Sequence, residues 1–151
     1  MNELIYITNS KLDFPGPNII YINDNFIKKT GYTVDEIIGK TPRILQGKNT
    51  NRETLKRMKK CLLNNEYFEG DIINYNKNGD EYHMLWAITP INNNNGFIST
   101  QKEMPTNLDN NDIINELEKL KELNSKILSN IDNYLNLQKK TNEIPSLFCQ
   151  K

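Results

Sequence analysis

The chain has 151 residues and a mass of 17.6 kDa, enough for one ordinary domain with an appendage. Lysine and arginine together number 19, as do aspartate and glutamate, so the formal net charge is zero, which argues against a dedicated nucleic-acid binder. No apolar run approaches the roughly 20 residues of a membrane span, and the first residues lack the basic and apolar regions of a signal peptide, so we expect a cytoplasmic protein without a membrane partner.

The first third of the chain predicts two short strands and two short helices. Leu4 to Thr8 and Asn18 to Asn23 each read as a strand, and Asp24 to Thr30 reads as a helix. Thr33-Val34-Asp35-Glu36 fits a capping box, in which the threonine hydroxyl and the glutamate carboxylate satisfy the free amides of a helix start. We expect this helix to stop at Gly39, a plausible left-handed residue.

A longer helix is predicted next. A second capping box, Thr50-Asn51-Arg52-Glu53, begins it, and it continues to about Asn64. Leu55, Met58 and Leu62 are three and four residues apart, so they lie on one side of the helix and mark its buried face.

Three strands and two turns follow. Phe68 to Tyr75, Glu81 to Ile91 and Phe97 to Met104 read as strands, and Asn76 to Asp80 and Asn92 to Gly96 read as the turns that join them. Asn-Gly in the first turn tolerates positive φ and is typical of a hairpin. Strands joined by tight hairpins favour an antiparallel sheet, and helices inserted as one block favour the α+β class.

The last part of the chain predicts one long helix. Apolar residues recur at alternating spacings of four and three, with a polar residue at the midpoint, as in the seam of a coiled coil. Such a helix would be roughly 40 Å long at 1.5 Å per residue, which is long for packing on one small domain. We therefore favour a homodimer formed through this helix, and the alternative is an amphipathic helix that folds back on the sheet. The seam residues are Ile113, Leu117, Leu120, Asn124, Ile127, Ile131, Tyr134 and Gln138.

These patterns divide the chain into four parts. Residues 1–105 form the folded domain, 106–111 a linker, 112–141 the long helix, and 142–151 a flexible tail. We expect Pro105 and the polar residues after it to separate the domain from the helix.

The folded part resembles a PAS sensor domain. The resemblance is carried by Ile20 to Phe26, by Thr30 to Lys40, by the hairpin from Asn74 to Gly79 with Tyr82, and by Thr89-Pro90-Ile91. It covers nearly all of residues 3–104. It implies the PAS fold, a five-stranded antiparallel sheet with short helices over a central pocket.

One stretch is similar to the flavin-binding LOV subgroup of PAS domains. The family pattern Gly-X-Asn-Cys-Arg-Phe-Leu-Gln-Gly aligns with Gly39 to Gly47, and the residues that fit it are Arg43, Leu45, Gln46 and Gly47. The pattern's asparagine is Thr41 here. The pattern's photoreactive cysteine is Pro42 here. The resemblance therefore implies a LOV-like protein that lacks the photoreactive cysteine.

The resemblance also implies which residues hold the cofactor. Arg43 matches an arginine that holds the flavin phosphate, and Lys59 matches a second cation that shares it; Gln46 belongs to the motif. Asn74 matches the asparagine that bonds the pyrimidine edge, and Gln101 the glutamine that senses flavin protonation. FMN is the expected cofactor, with FAD or no cofactor as alternatives. Each residue also has a structural interpretation, as a surface cation, a hairpin asparagine or a polar strand residue.

Two positions depart from the flavin pattern. The family's second asparagine aligns with Met84, and a usually smaller residue facing the ring system aligns with Trp86. Trp86 could shrink the pocket or supply a stacking face. Without a thiol at Pro42, light could still reduce a flavin with electrons from Trp86, Tyr75 or Tyr82.

Enzymatic chemistry is not expected. His83 is the sole histidine, so neither a catalytic triad nor the usual axial ligand of a haem-binding PAS domain can be assembled, and no metal site is predicted. The leading hypothesis is a flavin light or redox sensor that signals through its helix to a partner, such as a kinase or a chemotaxis-type transducer. The alternatives are a cofactor-free interaction and dimerisation module, and a pocket for a small metabolite or haem.

Overall fold

The computed structural model describes residues 1–138 of the 151. Two strands, a block of helices, three further strands and a C-terminal helix follow one another, which is the order expected for the α+β class. The strands are β1 Leu4–Thr8, β2 Ile19–Ile22, β3 Phe68–Tyr75, β4 Glu81–Ile91 and β5 Gly96–Glu103; the helices are α1 Asp24–Thr30, α2 Val34–Ile37, α3 Arg52–Leu63 and α4 Asn110–Ser129. Pro42–Leu45 adds a 3₁₀ turn before α3. None of the helices described is long and apolar enough to cross a bilayer.

The strands form one antiparallel sheet in the order β2-β1-β5-β4-β3. Gln101 of β5 lies opposite Leu4 on one side and Trp86 on the other, so it occupies the middle of the sheet. The predicted five-stranded antiparallel PAS fold, with helices packed on it, is confirmed.

Both hairpin turns use residues that tolerate left-handed backbone conformations. In the first turn Gly79 has φ +88°, and Asn76 Oδ1 accepts from Asn78 N at 3.0 Å and from Asp80 N at 2.9 Å. In the second turn, Asn93 has φ +63°. These turns fix the register of β3, β4 and β5 and therefore which side chains share a face.

Side-chain caps explain where the first helices begin. Asn23 precedes α1, and its Oδ1 accepts from Phe26 N at 3.0 Å. The predicted capping box is present at α2, where Thr33 Oγ1 accepts from Glu36 N and the Glu36 carboxylate accepts from Thr33 N.

The cap of α3 differs from the prediction. Asn51, rather than Thr50, is the N-cap residue, and its Oδ1 accepts from the amides of Glu53 and Thr54. The Thr50 hydroxyl instead donates to Ile73 O at 2.7 Å, which ties the start of α3 to β3. The predicted cap was wrong because Thr50 Oγ1 accepts from Gly47 N at 3.0 Å, outside the helix, while its hydroxyl donates to Ile73 O.

The two faces of the sheet carry separate apolar clusters. The inner face packs against α1, α2 and α3, with Phe26, Ile37 and Leu62 contributed by these helices. Along β4 the side chains alternate, so that Leu85 and Ala87 face outward. The inner-face residues of β4 are Tyr82, Met84, Trp86 and Ile88.

Helix α4 packs on the outer face of its own sheet. Leu120 is fully buried with Leu85 and Ala87, and Ile127 is fully buried in the cluster that contains Ile98. The predicted coiled-coil seam is therefore the face that α4 buries against the sheet, as in the fold-back alternative. Dimerisation through these residues stays a prediction.

The helix also differs from its predicted bounds. It begins at Asn110, inside the stretch predicted as a linker, and it ends at Ser129 with Asn130 after it. Residues 131–138 are again helical, and Ile22 N donates to Gln138 Oε1 at 3.3 Å. The predicted continuation of the helix to 141, the tail 142–151 and Cys149 lie outside the described residues.

Candidate functional site

A cavity lies between the inner face of the sheet and α3. Its volume is about 300 Å³, at the lower end of the range for small-molecule sites, which begins at roughly 300 Å³. Its walls are mostly apolar, and the segment that includes Pro15, Gly16 and Pro17 forms part of its rim. The apolar lining residues are Tyr6, Leu12, Leu45, Leu55, Met58, Leu62, Ile72, Trp86, Ile88 and Phe97.

Two polar side chains on the sheet lack the hydrogen bonds that burial demands. Gln101 is 1% exposed and its Oε1 has no partner, and the buried Thr8 Oγ1 has none either. Both line the cavity, as does Asn74, which is 4% exposed. An unpaired buried polar atom costs about 1–3 kcal/mol, so the two unpaired groups are poised to bond a ligand.

The rim of the cavity is positively charged. Arg43, Arg52, Lys56 and Lys59 line it, and all four are exposed. Among the cavity-lining residues of the described chain there is no carboxylate. The cavity therefore combines an apolar interior and unpaired polar atoms with a cationic mouth, which suits a flat, largely apolar ligand with a polar edge and an anionic tail.

The structure brings all five predicted site residues to this cavity. Arg43 and Lys59 are at the rim, and Asn74 and Gln101 are on the sheet. Gln46 also lines the cavity, but its Oε1 accepts from Arg52 Nη1 at 3.1 Å. Gln46 therefore positions a rim cation, and direct contact of the five with a cofactor stays a prediction.

Pro42 lines the cavity as the first residue of the 3₁₀ turn. Cys61 is half-buried against the inner core cluster and is not among the residues that line the cavity. No described cysteine thus offers a thiol to a ligand in this cavity.

Trp86 and Met84 do not fill the cavity. The Trp86 ring forms part of the wall, packs edge-on against Phe68 at 5.2 Å between centroids, and donates from Nε1 to Ser99 Oγ at 2.6 Å. Met84 is buried in the core beside the cavity. These contacts hold the indole against the sheet, so space remains in front of it.

Of the three predicted electron donors, Trp86 lines the cavity. Tyr82 is buried in the inner core cluster and Tyr75 donates its hydroxyl to Glu81 at 2.6 Å; neither is among the lining residues. Tyr6 also lines the cavity, and burial raises the pKa of its phenol to about 12, so its hydroxyl stays protonated at neutral pH.

The sequence prediction missed several lining residues. Thr8, Arg52 and Lys56 were not chosen, although Arg52, Lys56 and Lys59 follow the spacing of one helix face and could have been found by it. Thr8 had no such signal, because its role depends on where β1 lies in the sheet.

The lone histidine lies elsewhere. His83 Nε2 is 2.6 Å from Asp71 Oδ2 in an exposed pair on β3 and β4, and His83 does not line the cavity. Within residues 1–138, no group of three or more potential metal-ligating side chains is arranged to hold a metal ion.

Comparisons with known proteins give the family. A family model described as PAS domain matches residues 3–105. Blue-light-activated histidine kinases are similar: the protein from Brucella anthropi is 37% identical over 120 residues, 77% of this chain and 23% of the kinase. The protein from Brucella canis is 35% identical over 106 residues, 68% of this chain and 21% of the kinase. The chain thus spans about a fifth of the length of these curated relatives.

A solved structure gives the same result for the fold. The LOV domain from the Erythrobacter litoralis blue-light-activated histidine kinase matches with a TM-score of 0.64 and 25% identity, over 70% of this chain and 99% of that domain. The chain therefore belongs to the PAS domain family, with homology to blue-light-activated histidine kinases and a structural match to a LOV domain.

Proposed function

We propose that this chain binds a flavin nucleotide, with FMN sufficient to fill the cavity, and acts as a light or redox sensor without a photoreactive cysteine. The observation that carries the proposal is the unpaired Gln101 Oε1 in the floor of a cavity whose charged lining residues are all cations. The names of the relatives support it, since they are blue-light-activated kinases and a LOV domain.

The lining residues fit a flavin nucleotide. Asn74 and Gln101 offer amide donors and acceptors to the polar edge of the ring system, and apolar walls cover its faces. Arg43 and Lys59 offer their charges to the phosphate. When bound, the flavin supplies absorption of blue light and reversible uptake of electrons and protons.

The chain's own residues set how it responds. Pro42 offers no thiol, so a covalent bond to sulfur is not available at that position, and Trp86 in the cavity wall is the electron donor we propose. Gln101 can rotate its amide and exchange an acceptor for a donor when the protonation of the ligand in front of it changes.

The output of this sensor is the C-terminal helix. Gln101 and Thr100 are neighbours on β5, and Thr100 faces the side that α4 covers. We propose that a change at Gln101 alters how firmly α4 packs on the sheet. A coupling of about 1–3 kcal/mol is typical of such a link between two sites.

The partners of the helix follow from this arrangement. The proposed homodimer needs the seam residues, including Leu120 and Ile127, to leave the sheet before they meet a second copy. A kinase or a chemotaxis-type transducer is the proposed downstream partner, and the cytoplasm the proposed compartment. The chain itself is proposed to be a non-catalytic sensor.

Absorption spectroscopy tests cofactor binding. The full chain, purified in the dark from a flavin-replete host, should show the structured blue band of an oxidised flavin. Arg43→Gln should retain less flavin, whereas Lys60→Gln, an exposed charge on the same helix as Lys59 but outside the cavity, should retain as much as the parent chain. A colourless protein with a folded circular dichroism spectrum would support the cofactor-free interaction module instead, and a Soret band would indicate haem.

Illumination and sedimentation test the response. Light should bleach the blue band more slowly in Trp86→Phe than in the parent chain, without the spectrum of a cysteine-bound flavin. Sedimentation of the full chain should show a larger dimer fraction in the light than in the dark. A sulfur-bound spectrum, or an unchanged monomer in both conditions, would contradict the proposed mechanism.

A further inference from the structure

We infer that the solvent-facing side of α3 is a docking surface for an anionic lipid bilayer, on which Lys56, Lys59 and Lys60 contact the headgroups and Leu63 inserts among them. We call these four residues the lysine patch. The inference goes beyond the proposed flavin function and does not depend on it, because Lys60 and Leu63 do not line the cavity. Its evidence is the charge of α3 and one exposed leucine among its lysines.

Helix α3 has two different sides. Leu55, Met58 and Leu62 pack on the inner core cluster. The lysine patch follows the spacing i, i+3, i+4 and i+7 on the other side, so its four side chains lie together on one exposed strip, where they line a shallow depression. Leu63 is 63% exposed, so this strip combines positive charge with a large apolar side chain that the described part of the chain does not cover.

The positive charge of α3 is poorly compensated within the protein. Five of the 12 residues of the helix are cations, and Glu53 in the first turn is its single carboxylate. Glu53 Oε1 lies 3.4 Å from Lys56 Nζ, but both side chains are strongly exposed, and such pairs contribute little. Lys59 and Lys60 have no ion pair within residues 1–138. The lysine patch therefore keeps its charge available to an external anion.

The opposite side of the molecule does not repeat this pattern. Cations and anions are equal in number over the whole chain, so the excess of positive charge at α3 is balanced by carboxylates elsewhere. Helix α4 covers the outer face of the sheet, away from α3, and carries four carboxylates and three lysines. An anionic surface should therefore attract the molecule in one orientation, with the lysine patch toward it.

A bilayer is the anionic partner that also accounts for Leu63. Lysine side chains hold their ammonium groups at headgroup level, and an apolar side chain among them reaches the boundary with the acyl chains. Clusters of basic residues on an amphipathic helix are typical of binding to anionic phospholipids, and each cation adds about fivefold in affinity, which is about 1 kcal/mol. Surface binding needs no spanning helix, and it differs from the sequence-based expectation of a protein without a membrane partner.

Co-sedimentation of the full chain with lipid vesicles in the dark tests the inference. Vesicles of phosphatidylglycerol and phosphatidylcholine in equal parts should bind the chain, vesicles of phosphatidylcholine alone should not, and added salt should weaken binding because it screens the lysines. Lys60→Gln and Leu63→Ala should each weaken binding by about fivefold or more. The matched controls Lys126→Gln and Ile114→Ala remove an exposed charge and an exposed apolar side chain from α4, and should bind as the parent chain does.

Three results would overturn the inference. The first is equal binding to both kinds of vesicle, or to neither. The second is binding to anionic vesicles that neither Lys60→Gln nor Leu63→Ala weakens, because another surface would then be responsible. The third is binding to soluble polyglutamate without binding to vesicles, which would identify an acidic protein segment as the partner.

The same variants separate this inference from the proposed function. Lys60→Gln and Leu63→Ala lie outside the cavity and should keep the flavin absorption of the parent chain while they lose vesicle binding. A colourless chain that binds anionic vesicles through the lysine patch would contradict flavin binding and support the lipid surface. A flavin-bound chain that ignores anionic vesicles would do the reverse.

Discussion

Gln101 and Thr100 are neighbours on β5, yet their side chains enter different environments on the two faces of the sheet. Gln101 lines an open cavity, whereas Thr100 is buried on the face that α4 covers. The inner face leaves space and unpaired polar atoms, and the outer face is filled with apolar side chains from the chain itself. One strand therefore connects a surface arranged for binding to a surface arranged for packing.

The outer face is not uniformly apolar. Asn124 is fully buried between the Leu120 and Ile127 contacts, its Nδ2 donates to Ala87 O at 3.3 Å, and its Oδ1 has no partner. Thr100 Oγ1 is also unpaired. These atoms weaken the contact at its middle, so the packed face is held less firmly than its apolar area suggests.

The largest change in stability should come from removing a buried side chain on the outer face, where the comparison predicts tight packing. Leu120→Ala removes a fully buried side chain that packs on Leu85 and Ala87, and should lower the free energy of unfolding by about 2–5 kcal/mol. Ile114 is 56% exposed on the same helix, so Ile114→Ala should change it by less than about 0.5 kcal/mol. Urea denaturation measures both; equal values would mean that α4 does not pack on the sheet.

Substitutions that remove unpaired polar atoms from the inner face should instead raise the free energy of unfolding. Gln101→Leu removes the unpaired buried oxygen and should raise the free energy of unfolding of the flavin-free chain by about 1 kcal/mol. Thr8→Val removes the other unpaired atom of the cavity floor with little change of shape and should act in the same direction. Thermal unfolding of the flavin-free variants measures the change, and a loss of stability in both would show that these atoms have partners.

Asn124→Leu tests the outer face further, because it replaces the buried polar side chain of α4 with an apolar one. The change loses the bond to Ala87 O but removes the unpaired Oδ1, and should raise the free energy of unfolding by roughly 0.5–1 kcal/mol. Hydrogen exchange of the α4 amides should slow by a corresponding factor. Faster exchange would show that Asn124 stabilises the docked helix.

The smallest effect should appear as a dependence on pH. Lys102 and Lys119 hydrogen-bond the Glu116 carboxylate and lower its pKa from the ordinary value of 4.5. Because the folded state holds the lowered pKa, this contribution is present above pH 4.5 and is lost as the pH falls through the lowered value. Glu116→Gln should therefore flatten the acid limb of the stability profile measured by denaturation, and an identical profile would contradict a role for this carboxylate.

Much of the fold could be predicted from local patterns. Alternation of side chains, Asn-Gly turn chemistry and the Thr33-Glu36 capping box each act within a few residues, and β1, α1 and β4 appear at their predicted positions. Thr50 failed as a predicted cap because its side chain accepts from Gly47 N and donates to Ile73 O, which is distant in the sequence.

The seam of α4 shows the limit of periodicity. The same spacing that suits a coiled coil also suits packing on a sheet, because both need one narrow apolar stripe. Whether Leu120 meets another helix or Leu85 depends on how much apolar surface the outer face leaves uncovered, which no local pattern in α4 reveals. The five predicted site residues came from the family resemblance, and the cavity-lining cations Arg52 and Lys56 lay outside the motifs it supplied.

The hydrogen bond between Ile22 N and Gln138 Oε1 has a consequence for assembly. Ile22 belongs to β2, which is one of the two edge strands of the sheet and pairs on one side only. The end of the helical segment thus shields a backbone donor that another extended chain could use. If α4 and residues 131–138 detach from the sheet, they expose the edge of β2 as well as the apolar face of the helix. A partner could then add a strand of its own to that edge.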